Sequence, residues 1–284
     1  MNGIDRRAAL VGGAALLVPS RGLTLPRVTP LRLVGDRIYV AATLDGVVTE
    51  ALLDSGAEMT VVDRAFAARL RLDGGTPATA RGTGTATAAA TLVGGVEIRV
   101  GGVTLRPATV AVIDLADISA RLAHRRIDAI VGRDLFDAAR LTIDLRRGTL
   151  AAIDRRREPA GERLPLTGRR GIETVPVTIE GRSAQADFDL GNGGRVLVGG
   201  NLAARLLRDG RATATVGSGG IGGETLQRTL VLRDLVVAGR RFINVPAAVD
   251  ASPSAADANI GVRILRNFAV VTDFAEGAVW LRPW

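Results

Sequence analysis

The chain has 284 residues, 47% of them hydrophobic and only 3% aromatic, so it can fill a core but must do so with Ala, Val, Leu and Ile. The net charge is +8, carried by 37 basic residues that are all Arg, scattered and without interleaved aromatics, which argues against a nucleic-acid surface. The absence of Cys excludes thiolate catalysis, disulfides and Cys-ligated zinc, and a His-based metal centre or a Ser-His-Asp triad would have to rest on the one His, His124, which reads as part of an exposed helical turn or loop.

From the N-terminus, Asp5-Arg6-Arg7 precedes an apolar run from Ala8 to Val18. The run is shorter than the roughly 20 residues a membrane span needs, so 1–22 is expected to be an export signal of twin-arginine type and the protein periplasmic or extracellular, with no stable membrane insertion of the mature chain. Thirty-five glycines among short apolar stretches predict an all-β fold. Strands are expected at Arg37 to Leu44, Val96 to Val100, Ala108 to Ile113, Leu141 to Leu145, Val175 to Ile179, Thr229 to Val237 and Ala269 to Phe274. Two short helices are expected, one capped by Asp63 and one by Asn201, each with leucine or phenylalanine four apart on one face. Asp134–Ala139 and Arg263–Asn267 read as turns, and Arg155-Arg156-Arg157 as a solvated linker.

The chain repeats itself. Asp54 follows Leu44-Asp45-Gly46 at the distance at which Asp189 follows Ile179-Glu180-Gly181. Each Asp opens Asp-x-Gly, as Asp54-Ser55-Gly56 and Asp189-Leu190-Gly191. Gly82 lies as far beyond Asp54 as Gly217 lies beyond Asp189, and Ile130-Val131-Gly132 matches Asn259-Ile260-Gly261. Asp144 then follows Gly132 at the spacing at which Asp273 follows Gly261. A run of matched spacings in order predicts a duplication. Two lobes, 23–157 and 162–284, are expected to be related by approximate two-fold symmetry with a cleft between them.

An apolar run ending in Asp-Ser-Gly places a carboxylate at a strand tip before a tight turn, where glycine lets backbone N–H groups approach it. Two such tips brought together would share a proton, because like charges in contact resist double ionisation. One carboxylate can then act as general base on a water and the other as general acid, which needs no cofactor and no metal. Asp54 and Asp189 are the candidate catalytic pair. Gly217-Ser218-Gly219-Gly220-Ile221-Gly222 matches a dinucleotide-binding fingerprint in form, but Glu224 to Val237 reads as extended rather than helical, so a hairpin or loop over the cleft is expected there. Gly82-Thr83-Gly84 is the corresponding flap candidate in the first lobe.

Leu52-Leu53-Asp54-Ser55-Gly56-Ala57 and Ile130-Val131-Gly132-Arg133-Asp134-Leu135-Phe136 resemble the retropepsin-like and pepsin-like aspartic peptidases, in particular bacterial exported single-chain forms. The resemblance implies a bilobal β fold, a flap and hydrolysis of peptide or protein substrates. It also implies that Ser55, Gly56, Ala57, Gly191 and Asn192 support the active-site loops, and that Glu58 and Arg133 pair to brace the first. Leu190 departs from the pattern, since it lacks the hydroxyl that follows the Asp. That departure leaves a catalytically silent peptide-binding protein as one alternative. A homodimer pairing two Asp54 residues, in place of a monomer, is another.

Overall fold

In this computed structural model, residues 28–169, 171–208, 210–211, 214–252 and 255–284 are described; the expected export signal lies outside them. The fold is mostly β, in a 15-stranded and an 8-stranded sheet among the described residues. The helices between the strands are short, the longest being Gly200–Arg208.

Strand Arg37–Leu44 turns back into Val47–Leu53 through Asp45-Gly46, and Ile172–Ile179 into Arg182–Phe188 through Glu180-Gly181. Both turn residues have positive φ in each case (45° and 80°; 50° and 74°), the two-residue hairpin geometry that fits the strand twist and calls for Gly at its second position. The end of Val47–Leu53 is buried on both faces because a parallel strand, Ala129–Val131, lies alongside it, with Val131 opposite Leu53. In the smaller sheet Arg182–Phe188 has the same kind of neighbour, Ala258–Ile260, with Ile260 opposite Phe188. Each aspartate thus emerges from a strand clamped between an antiparallel and a parallel partner, which fixes its position.

The expected boundary near 157–162 does not divide the sheets. Glu162–Pro165, Phe268–Asp273 and Ala278–Pro283 all belong to the larger sheet, where Phe268–Asp273 runs antiparallel to Leu141–Asp144. The register there is informative. Leu141 opposes Ala152 and Asp144 opposes Thr149; at one constant offset along the chain, Val270 opposes Leu281 and Asp273 opposes Ala278. Between the two hairpins Thr142 opposes Val271, and those two residues stand at that same offset.

One hydrophobic cluster runs through both sheets, from Leu31 and Ile38 to Val279 and Leu281, and takes in Phe66, Phe136, Phe188 and Phe268. Few aromatics suffice because the β-branched and leucine side chains of paired strands interdigitate on the inner faces.

Several local expectations are corrected. Asp63 does cap helix Arg64–Arg69, accepting from Ala65 and Phe66 N–H at 3.1 and 3.3 Å. Asn201 is not a cap: the Gly199 carbonyl accepts the first helical bond, from Ala203, so Asn201 sits within the first turn of Gly200–Arg208. The segments read as turns are the helices Arg133–Ala138 and Val262–Leu265. Arg155 is anchored rather than only solvated. It pairs with the fully buried Asp273, which also holds the buried Arg140 at 3.1 Å, and the carbonyls of Arg155 and Arg157 accept from Arg140.

Candidate active site

Asp54 and Asp189 leave their strands toward one another, each partly exposed. A Cβ at Gly56 would stand 2.9 Å from Cγ of Asp189, and one at Gly191 would overlap Cγ of Asp54. The residue two after each aspartate must therefore be glycine, because the opposing carboxyl occupies the space of a side chain.

The two loops carry the same bonds. Gly56 N–H donates to Asp54 Oδ1 at 2.8 Å and Gly191 N–H to Asp189 Oδ1 at 2.9 Å. Asp54 N–H donates to the Val131 carbonyl at 3.0 Å and Asp189 N–H to the Ile260 carbonyl at 3.1 Å. Arg133 N–H donates to the Ala57 carbonyl and Val262 N–H to the Asn192 carbonyl, both at 2.9 Å, tying each loop to the helix behind it. Between the loops, Ser55 Oγ donates to the Phe188 carbonyl at 2.8 Å and accepts from Leu190 N–H at 2.9 Å. Leu190 makes no return bond with its side chain and is fully buried in the core.

Burial raises the pKa of the Asp54 carboxyl to about 8, helped by the charge and hydrogen bond of Asp189 and opposed by the Gly56 and Ala57 N–H groups. Both the charge of Asp189 and its hydrogen bond thus favour the protonated form of Asp54.

The glycine-rich stretches form hairpins that meet. Strands Thr76–Arg81 and Thr87–Val93 flank the first tip, and Ala214–Gly220 and Gly223–Val237 the second. Gly84 N–H donates to the Ile221 carbonyl at 3.1 Å and Ala86 N–H to the Gly222 carbonyl at 2.9 Å. Gly82 lies where a Cβ would be 2.8 Å from the Ile221 carbonyl oxygen, and Gly220 lies against Thr83 Oγ1. Gly217, Ser218 and Gly219 lie in the strand below the second tip, opposite Leu226, Thr225 and Glu224. The extended reading of this segment holds, which removes the dinucleotide motif.

Residues 40–135 match the family model described as Aspartyl protease. Over this segment, about a third of its length, the chain is similar to aspartyl protease domains. No curated protein matches the chain. The matched segment contains Asp54, its loop, the first hairpin tip and the parallel strand Ala129–Val131, and stops before Asp189.

The expected pairing of Glu58 with Arg133 is not among the ion pairs of the described residues. Arg133 reaches instead to Glu173 at 2.7 Å and Asp137 at 3.0 Å, while Glu58 lies against Gly171. The reason is tertiary: strand Ile172–Ile179 of the smaller sheet passes Arg133 and offers a buried carboxylate. Asn259 was visible in the sequence only as a motif position. It donates from Nδ2 to Asp189 Oδ2 at 2.8 Å and accepts at Oδ1 from Asn192 Nδ2 at 2.7 Å. Its signal was an amide where an apolar-apolar-Gly motif has a hydrocarbon. A separate groove of about 800 Å³, lined by Asp63, Arg64, Asp114, His124 and Arg125 among others, contains neither aspartate loop. Two of its charged side chains are engaged structurally: Asp63 caps a helix and Arg125 pairs with Glu50.

Proposed function

We propose that the protein is a single-chain aspartic endopeptidase whose two lobes, 23–157 and 162–284, arose by duplication and face one another across a substrate cleft. The observation that carries the reading is the meeting of Asp54 and Asp189, each held by the same set of backbone bonds. Two-fold pseudo-symmetry is supported by the register: Thr142 and Val271 oppose each other, and the pairs of the flanking hairpins recur at the offset that separates those two residues. Residues equivalent under a two-fold axis pair with themselves where the axis passes.

A water held by both carboxyls loses a proton to the ionised one, its oxygen attacks the peptide carbonyl carbon, and the other carboxyl protonates the carbonyl oxygen. The substrate is a peptide in extended form beneath the paired hairpin tips, whose backbone groups can meet its own. The meeting of Asp54 with Asp189 inside one chain supports a monomeric dyad over a homodimer pairing two Asp54 residues. Leu190 favours the second reading, a peptide-binding protein, since the loops share only the bonds of Ser55. We further propose that residues 1–22 direct export.

Cleavage of an unfolded protein across pH separates the readings. The peptidase is expected to be active when the dyad holds one proton, and Asp54→Asn and Asp189→Asn each to abolish cleavage. Full activity in Asp189→Asn with none in Asp54→Asn would move the reading to a homodimer. No cleavage by the parent chain, with peptide binding retained, would move it to a binding protein.

A further inference from the structure

The two aspartates have the same loop but different floors. Behind Asp54, strand register places Leu52 opposite Ile130, both buried and apolar. The equivalent pair behind Asp189 is Asp187 opposite Asn259. From Asn259 a chain of hydrogen bonds runs outward, and its direction is fixed at the far end by groups that cannot reverse. Gly194 N–H can only donate, and it donates to Asn192 Oδ1 at 2.7 Å. The Arg195 carbonyl can only accept, and it accepts from Asn192 Nδ2 at 3.2 Å. The Asn192 amide is therefore oriented with Nδ2 toward Asn259, whose Oδ1 must accept. Asn259 Nδ2 is then left to donate to Asp189 Oδ2. The other oxygen, Oδ1, already accepts from Gly191 and Asn192 N–H at 2.9 and 3.1 Å.

We propose that Asn259 is a positioning residue: the one-way chain Gly194/Arg195–Asn192–Asn259 makes both oxygens of Asp189 acceptors and so keeps the shared proton of the dyad on Asp54. Resting on the peptidase reading, this divides the labour of the pair. Asp189 is the base that takes the proton from water. Asp54 is the acid that gives its proton to the substrate carbonyl oxygen, leaving a neutral tetrahedral diol, and the proton count of the dyad is conserved. The apolar floor under Asp54 acts in the same sense, since a carboxyl above Leu52 and Ile130 gains little from ionising. The raised pKa of Asp54 agrees with this placement.

Other charges near the pair are either paired elsewhere or exposed to solvent. Arg133 engages Asp137 and Glu173, Arg263 and Arg266 engage Asp36, Glu58 lies against Gly171, and Arg195 is exposed. Asp187 is the other acid on the face of Asp189, two residues before it and opposite Asn259. It is controlled for by Asp187→Asn.

The test is a carboxyl ¹³C titration of the full chain, with Asp54 and Asp189 assigned by their Asn variants, alongside the pH profile of kcat/KM. At the pH where the dyad holds one proton, Asp54 is expected to show the protonated shift and Asp189 the ionised one. Asn259→Leu keeps the bulk of the residue and deletes the donor. It is expected to raise the dyad's lower step, and the acid limb of the profile, by about one pH unit, the effect of one hydrogen bond to a charged group. The basic limb stays in place as long as the proton remains on Asp54, because the donor stabilises the singly and doubly ionised forms alike. A merely structural role would lower kcat/KM at every pH and move neither limb. Asn192→Ala, which leaves Asn259 free to turn its amide, is expected to act in the same direction by less, and it keeps the test open should Asn259→Leu fail to fold. Equal sharing of the proton in the parent chain, or an unmoved lower step in both variants, overturns the proposal. If the parent cleaves nothing while the titration places the proton on Asp54, the peptidase reading fails and the proton assignment stands.

Discussion

Replacing Asp54 by Asn should stabilise the protein, and do so only where Asp54 is under strain to ionise. The folded chain holds this carboxyl well above its ordinary value of 3.8, to about 8, through burial and the neighbouring Asp189 carboxyl. A group raised on folding contributes its full stability below the unfolded value and loses it as pH climbs toward the folded one, because the unfolded chain releases its proton first. About three pH units separate 3.8 from neutrality, and each is equivalent to about 1.4 kcal/mol, giving an upper bound of about 4 kcal/mol. Asp54 is partly exposed and water trims the effect to about 2–3 kcal/mol. Asn keeps an oxygen for the 2.8 Å bond from Gly56 N–H and carries no charge. Urea unfolding at pH 4, 5.5 and 7 should therefore show the variant and the parent nearly equal at pH 4, and the variant more stable by that amount at pH 7. A gain independent of pH, or a parent more stable than Asp54→Asn at pH 7, would refute the argument that the carboxyl is held protonated by its surroundings.

Three further outcomes are expected. Ser55→Ala leaves the buried Leu190 N–H and Phe188 carbonyl without their partner, and should cost about 2–3 kcal/mol in chemical unfolding; a loss below about 0.5 kcal/mol would mean the bonds between the loops contribute little. Arg140→Leu strips the fully buried Asp273 of one of its two guanidinium partners and should cost about 3–5 kcal/mol by the same measurement. Asp273 is opposed by burial but held below its ordinary pKa by Arg155 and Arg140, so in the parent its stabilising contribution should be present above about pH 4 and vanish as pH falls below, visible as an acid-unfolding step that Arg140→Leu moves to higher pH. Gly84→Ala puts a Cβ into the Gly222 backbone and should part the hairpin tips, read as faster amide exchange at Gly84 and Ala86 than in the parent; unchanged exchange would mean the tips do not hold each other.

Much of the site was legible because its chemistry is local. An apolar run that ends in Asp-x-Gly places the carboxyl at a strand tip, where the N–H two residues on, of Gly56 or Gly191, donates back to it; that this residue must be Gly is a tertiary matter, since the opposing carboxyl fills the space of a side chain. The matched spacings were equally legible, since Asp45-Gly46 and Glu180-Gly181 are demanded by the same hairpin geometry. What failed was the choice of partner across the fold. Glu58 is the nearby acid that the motif offers Arg133, whereas its carboxylate, Glu173, arrives on a strand of the smaller sheet. Asn201 has the side chain of a cap, but the chain enters the helix two residues earlier, at Gly199.

The sequence by itself determined part of the strand set and the two Asp-x-Gly loops, because these depend on periodicity and turn conformation, which act within a few residues. Only the tertiary structure decided that Phe268–Asp273 pairs with Leu141–Asp144, that the hairpin tips meet, and that Asn259 donates to Asp189 while Ile130 offers Asp54 nothing. Those facts depend on which surfaces come together and on where a buried N–H or carboxyl finds its partner. Long-range hydrogen bonding and desolvation act through space and leave no period in the chain.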